Sequence, residues 1–299
     1  DIAVRLTDKR LRKAASMYPG TKTWSPFMGC NFDCTYCKAT FQRQAKRRKP
    51  QEDRERGCEH CYRYTPHEHP DRLNGIPGSK KSESDVTTVF VCASADISFC
   101  GREFVGKIIE AIKRKNERDR ARDTPLLTFY LQSKRPECFA PFLKDLPENV
   151  ILLTTLETNR DEGYTAISKA PPPTKRFRQF LGLKYPRKAV TVEPMLDFDA
   201  DEFAKWIVRL EPEHVYMGYN SHEAEVFLPE PPHRKVVALA EALLARGIEV
   251  RGKDLRGLPM PNGVIMPKAV WREQFADAAE AETGEDGAAR AQTQPARSQ

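Results

Sequence analysis

Beyond residue 86 the chain alternates short apolar runs with longer amphipathic ones. The short runs are Thr88–Cys92, Leu126–Gln132, Val150–Leu156, Ala189–Pro194, His214–Tyr219 and Ile248–Arg251. Most are rich in Val, Leu, Ile, Phe or Tyr, and several are apolar at consecutive positions, as strands covered on both faces of a parallel sheet must be. Between them, Arg102–Arg122 sets Phe104, Ile108, Ile109 and Ile112 on one helical stripe. Ala200–Leu210 does the same with Phe203, Trp206, Ile207 and Leu210, and Pro232–Arg246 with Val236, Leu239, Ala240 and Leu243 before Gly247 stops it. A first strand around Thr21–Ser25 brings the total to six or seven strand–helix units. Such repetition requires parallel pairing with right-handed crossovers, and eight units would be needed to close a full barrel. The expected fold class is therefore α/β, a partial (β/α)6-type barrel of parallel strands.

Polar residues end these strands: Ser94 and Asp96, Gln132 to Arg135, Glu157, Glu193, Asn220, Lys253 and Asp254. Ligands bind at that edge in parallel folds, so the site is located before its chemistry is known. Residues 38–85 break the alternation. They are polar, basic and turn-rich, too long for a plain connection, and read as an insertion after the first strand that is either functional or disordered. Residues 277–299 are rich in Ala, Glu, Gln and Arg without periodicity, which predicts a solvated tail behind a single unit spanning 1–276. Pro171–Pro173 predicts a stiff break in the fourth crossover.

Composition narrows the chemistry. The formal charge of +7 hints at an anionic partner, weakly, because 42 acidic residues are interspersed with 49 basic ones. No apolar run approaches the roughly 20 residues that span a bilayer, and Asp1–Lys13 has no secretion-signal pattern. A cytoplasmic, reducing location without membrane partners is the expectation. Of the eight cysteines, five fall between Cys30 and Cys61. In a reducing compartment, clustered thiols read first as metal ligands and not as disulfides.

Cys30-Asn-Phe-Asp-Cys34-Thr-Tyr-Cys37 directly follows the first candidate strand. Three thiolates on one loop suit three irons of a cubane cluster and leave a fourth iron open; the alternatives are structural thiols or half of a zinc site. Gly29 lets the loop bend tightly. The C-x3-C-x2-C spacing with Tyr36 resembles the signature of the radical S-adenosylmethionine superfamily. Over residues 20–258 the chain resembles its phage-type branch, also found in bacteria and archaea. The supporting segments are Thr23-Trp24-Ser25-Pro26, His69-Pro70-Asp71-Arg72-Leu73, Val89–Asp96, Leu131–Glu137, Thr154-Thr155-Leu156-Glu157 and Val192-Glu193-Pro194-Met195-Leu196.

The resemblance implies a [4Fe–4S] cluster on Cys30, Cys34 and Cys37, bound S-adenosylmethionine, and a one-electron reductant such as flavodoxin or ferredoxin. It implies Tyr36 against the adenine, and Ser94 and Asp96 where a Gly-Gly-Glu-like motif meets the methionyl amine, although Ala93–Asp96 departs from that motif. Glu157 would meet the ribose hydroxyls, Lys134 the methionyl carboxylate, and Glu193 adenosine or the substrate. The substrate itself is open among nucleotide, nucleic acid and peptide.

Cys58-Glu-His-Cys61 comes next, with His67 and His69 close behind. One reading joins Cys34, Cys37, Cys58 and Cys61 in a zinc ribbon, which would make the whole a non-catalytic nucleic-acid-binding protein. The preferred reading is a separate zinc site of Cys58, Cys61, His67 and His69 (or His60); an auxiliary cluster and no metal are the others. Cys92, Cys100 and Cys138 read as small apolar residues or unpaired thiols. The basic stretch Gln42–Arg56, beside Tyr62 and Tyr64, is either a solvated face or a track for a nucleic-acid backbone.

Overall fold

The computed structural model describes residues 21–46, 57–78 and 87–266. In chain order, β1 (Thr21–Trp24) leads through the short β2 (Phe27–Met28) into the cysteine loop. A helical run follows, made of α1 (Thr35–Cys37), a π-helical turn (Lys38–Gln42) and α2 (Arg43–Ala45). The insertion contributes α3 (Glu59–Arg63) and β3 (His67–Glu68). Alternation then sets in with β4 (Thr88–Val91), α4 (Arg102–Ala121), β5 (Thr128–Gln132), β6 (Val150–Thr155), α5 (Pro173–Gly182) and β7 (Lys188–Val192). It ends with α6 (Ala200–Leu210), β8 (His214–Met217), α7 (His233–Leu244) and β9 (Glu249–Gly252).

Seven strands pair in the order β1-β4-β5-β6-β7-β8-β9, and every pair is parallel. The sheet is a partial α/β barrel with β1 and β9 at its two ends, one strand more than a six-stranded barrel. β2 and β3 form a separate antiparallel ribbon beneath the cysteine loop.

Alternate strand residues serve two cores. Val89, Val91, Phe129, Leu131, Leu152, Val190, Val215 and Val250 face the helices and pack in one continuous core with Phe104, Ile108, Phe180, Phe203, Ile207 and Leu239. On the concave face Phe90, Tyr130, Ile151, Leu153 and Ala189 form a second cluster. Burying each such side chain contributes roughly 1.5–3 kcal/mol, so the sheet is well supported without cross-links. A third cluster gathers Phe32, Cys34 and Tyr36 of the cysteine loop with Tyr164, Ala170, Leu196 and Leu228. That cluster positions the candidate site.

Two crossovers depart from the sequence reading. The chain between β5 and β6 carries a 3-10 segment, Pro136–Phe142, with Pro141 inside it. The break expected at Pro171–Pro173 is the start of α5 instead: Pro172 caps the helix and Pro173 occupies its first turn. Proline is suited there, because its fixed φ is already helical and the first-turn N–H it lacks has no helical partner. Cys92, Leu156, Pro194 and Tyr219, read as strand ends, lie past the strands in the loops that build the upper edge. The expected tail at 277–299 lies outside the described residues.

Candidate functional site

The cysteine loop is clamped from three sides. Gly29 donates its N–H to the carbonyl of Ser94 at 3.2 Å, just past β4. Cys30 donates to Tyr64 O at 3.3 Å, within the insertion. Thr35 donates to Ile167 O at 2.9 Å, and Lys169 returns a bond to Phe32 O at 2.8 Å. Gly29 has a φ of +88°, and a Cβ there would stand 2.2 Å from Thr65 O, so both backbone angle and space demand glycine. Phe32 and Phe99 pack beside the loop with ring centroids 4.7 Å apart.

A cavity of about 450 Å³ opens at the C-terminal edge of the sheet. Cys30, Cys34, Cys37, Tyr36 and Tyr64 line one side; Gln132, Thr155, Thr191, Glu193 and Lys253 come from the strand ends opposite. Asp96 and Lys134 complete the wall between them. Asp96 is a positioning group as well, for its carboxylate accepts from Ser98 N–H at 3.0 Å, Ser133 Oγ at 2.7 Å and Lys134 N–H at 2.7 Å. Lys134 extends its ammonium to the hydroxyl of Tyr36, to Cys34 Sγ at 3.5 Å and to Glu157 at 3.4 Å. Glu193 is paired with Lys253.

Two predicted site residues are placed differently. Ser94 does not line the cavity; it serves the loop through its carbonyl. Glu157 stands behind the wall with 0% exposure. Its carboxylate accepts from Tyr36 Oη at 2.6 Å and Tyr164 Oη at 3.1 Å and pairs with Arg176 at 2.6 Å. Protein groups thus enclose the carboxylate that the resemblance assigns to the ribose hydroxyls. Burial would raise its pKa, but Arg176 and Lys134 outweigh burial and hold the carboxyl at about 2. Lys134 is likewise disfavoured by burial, yet Cys34 and Glu157 keep it charged and raise its pKa. Cys34 is lowered to about 5, chiefly by a hydrogen bond from Cys37, against burial and with help from Lys134 and Ser168. Cys30 is pushed up to about 12 by burial and by Asp96.

Arg176, Tyr164 and Ser168 are the residues the sequence reading missed. Arg176 is fully buried, bonds Thr155 O at 2.6 Å and stacks over the Tyr164 ring at 4.9 Å. The available signal was its spacing, four residues before Phe180 on the apolar stripe of an unanticipated helix. Ser168 Oγ lies 3.0 Å from Cys34 Sγ.

The second cysteine group is compact. The ligand atoms of Cys58, Cys61, His67 and His69 all lie within 4.8 Å of one another. Among the described residues this is the one group of its kind, and it includes none of Cys30, Cys34 and Cys37. Cys92 is buried, Cys100 and Cys138 are half-buried, and all three are free thiols. In the basic stretch, Arg43 pairs with Glu225 at 2.7 Å and Lys46 stacks over Tyr62 at 4.6 Å. Arg47, Arg48, Lys49, Arg54 and Arg56 lie outside the described residues.

Comparison with known proteins gives a fold and no family. No family model and no curated protein matches the chain. Among solved structures, Streptococcus suis SuiB bound to the precursor peptide SuiA aligns with a TM-score of 0.50 and 10% identity. The alignment covers 89% of this chain and 57% of that one. SuiB bound to S-adenosylmethionine aligns at 0.49 and 11%, covering 81% and 52%. The chain thus spans little more than half of the SuiB chains. At such identity the likeness is one of fold. The partial barrel is common to both.

Proposed function

We propose that the chain is a radical S-adenosylmethionine enzyme that holds a [4Fe–4S] cluster on Cys30, Cys34 and Cys37. One observation carries the reading: three thiols of a single clamped loop line one wall of the cavity at the ligand-binding edge of a partial parallel barrel. The donor set fits the group, since soft thiolates are the ligands such clusters take and three of them leave one iron for a substrate. When bound, the cluster supplies one electron to the sulfonium of S-adenosylmethionine, which yields methionine and a 5′-deoxyadenosyl radical able to abstract hydrogen. The cavity volume falls within the roughly 300–1,000 Å³ usual for small-ligand sites.

The chain's own residues then divide the work. Lys134 sets a positive charge beside Cys34, where thiolate charge accumulates, and faces an incoming carboxylate. Asp96 fixes Lys134 through its backbone and presents acceptor oxygens to an amine. Tyr36 borders the adenine. Glu193 and Lys253, paired across the floor, meet adenosine or the substrate. Glu157 acts through Tyr36 and Lys134 by holding both in place. The ordered series of strand-end segments supports the phage-type branch, and the half-barrel likeness supports the superfamily's fold. The rival zinc ribbon needs Cys34 and Cys37 with Cys58 and Cys61, a grouping at odds with the compact set around His67 and His69.

A low-potential one-electron donor and a nucleotide or nucleic-acid substrate complete the proposal. For a nucleic acid, affinity should fall at least about tenfold between 50 and 200 mM salt; flat affinity would remove that substrate class. The cluster is tested by anaerobic reconstitution. Wild type should hold roughly four irons and four sulfides per chain, and Cys30→Ala, Cys34→Ala and Cys37→Ala should each lose the brown chromophore. Full iron in any two of these variants would refute the assignment.

A further inference from the structure

We propose that Cys58, Cys61, His67 and His69 bind one Zn²⁺ ion, and that this ion sets the position of the three-cysteine loop. Zinc bonds of about 2.3 Å to sulfur and 2.0–2.1 Å to nitrogen place tetrahedral ligands about 3.3–3.8 Å apart. Cys58 Sγ and Cys61 Sγ lie 3.4 and 3.3 Å from His67 Nε2, Cys61 Sγ lies 3.2 Å from His69 Nε2, and the two imidazole nitrogens are 2.8 Å apart. The sulfur–nitrogen separations fall a few tenths of an ångström short of the tetrahedral spacing and the nitrogen pair about half an ångström short, while all four ligand atoms lie within 4.8 Å of one another, so small side-chain adjustments close them on one ion. A cubane cluster would hold its ligands farther apart, and two imidazoles with two thiolates suit zinc.

The surroundings are those of a metal site. His67 turns Nδ1 to Thr65 O at 2.7 Å, which leaves Nε2 for the ion and fixes the ring. His69 Nδ1 has Asp71 at 3.8 Å as a carboxylate neighbour. Cys61 donates its N–H to Cys58 Sγ at 3.4 Å, so a thiolate there is stabilised by the helix that follows. Cys61 is 1% exposed.

These atoms lead directly to the other loop. Thr65 O, which fixes His67, is the atom against which Gly29 is packed. Tyr64 O receives Cys30 N–H, and Tyr64 itself lines the cavity. His67 pairs with Met28 across the small ribbon, and His69 N–H bonds Pro26 O at 2.6 Å. An ion held by residues on both sides of Tyr64–Pro66 therefore immobilises the surface on which Gly29 and Cys30 rest. The zinc site stands apart from the cluster reading; only its consequence for the cluster rests on that reading.

The test measures zinc and iron by mass spectrometry on the same full-length samples, and amide exchange across residues 26–37. Wild type should carry one zinc, Cys58→Ser and His67→Ala should carry none, and Cys30→Ala should lose iron and keep zinc. Removing zinc from folded wild type with a chelator should speed exchange at Gly29 and Cys30 at least about tenfold, because the local opening they report becomes easier, and this needs neither iron nor a folded variant. Wild type without zinc, iron at this site in Cys30→Ala, or unchanged exchange after zinc removal would each overturn the proposal. Zinc present with iron absent from wild type would instead refute the cluster and leave the zinc site standing.

Discussion

Glu157 has no exposed surface, yet it remains charged. A carboxylate in that position persists only with a buried cation and hydrogen bonds to spare, which Arg176, Lys134, Tyr36 and Tyr164 provide. Deleting one partner of such a pair strands the other charge. Arg176→Ala should lower stability by about 3–5 kcal/mol in urea unfolding, and Arg176→Lys, which keeps a buried cation beside Glu157, should lose less. A loss below about 1 kcal/mol for Arg176→Ala would show that the pair bears little load. His214 presents the opposite case. It is enclosed by Tyr130, Tyr216, Arg251 and Arg187, and burial first, then the two arginines, hold its pKa down to about 3 from 6.5. The folded chain keeps it neutral while the unfolded chain protonates it, so stability is lost as pH falls from about 6.5 toward 3. His214→Gln should flatten unfolding free energy between about pH 6.5 and 5, by up to about 1.4 kcal/mol per pH unit; an unchanged slope would contradict this assignment. At this scale the sequence exposes strand-end residues well. Tyr36, Asp96, Lys134 and Glu193 all line the cavity. Glu157 is a strand-end residue too, but its enclosure depends on Arg176, nineteen residues onward in a helix hidden behind prolines.

Elements are legible where their pattern is imposed by burial. Strands covered on both faces need consecutive apolar positions, so each expected run overlaps a real strand, and α6 coincides with its predicted span. Strand ends were overrun because Cys92 and Leu156 are as buried in the upper loops as their neighbours are in the sheet. α5 was hidden because Pro171–Pro173 signals a break and a helix start with the same residues. The ribbon of β2 and β3 gives no periodic signal at two residues each, though it joins the two cysteine groups. Gly29 makes that junction testable. Gly29→Ala adds a contact at 2.2 Å to an unfavourable backbone angle, whereas Gly163→Ala, at φ +71° with nothing within 4 Å of an added Cβ, adds only the angle. Gly163→Ala should cost about 1–2 kcal/mol and Gly29→Ala about 1–3 kcal/mol more. Equal costs in urea unfolding would mean that the insertion can retreat from the loop.

For the whole molecule, a parallel half-barrel brings every strand end to one edge, and the cysteine loop is delivered there by β1. Among the described residues no helix is long and apolar enough to cross a membrane. What the fold supplies is a cavity with three thiols, a buried cation beside one of them, and an enclosed ion-pair network that holds that cation in place. We propose that this arrangement cleaves S-adenosylmethionine. Its most direct test is 5′-deoxyadenosine formation by the anaerobically reconstituted, dithionite-reduced chain. Wild type should release 5′-deoxyadenosine, and Cys30→Ala, Cys34→Ala and Cys37→Ala should release none. A colourless protein that holds zinc alone and leaves S-adenosylmethionine intact would contradict it.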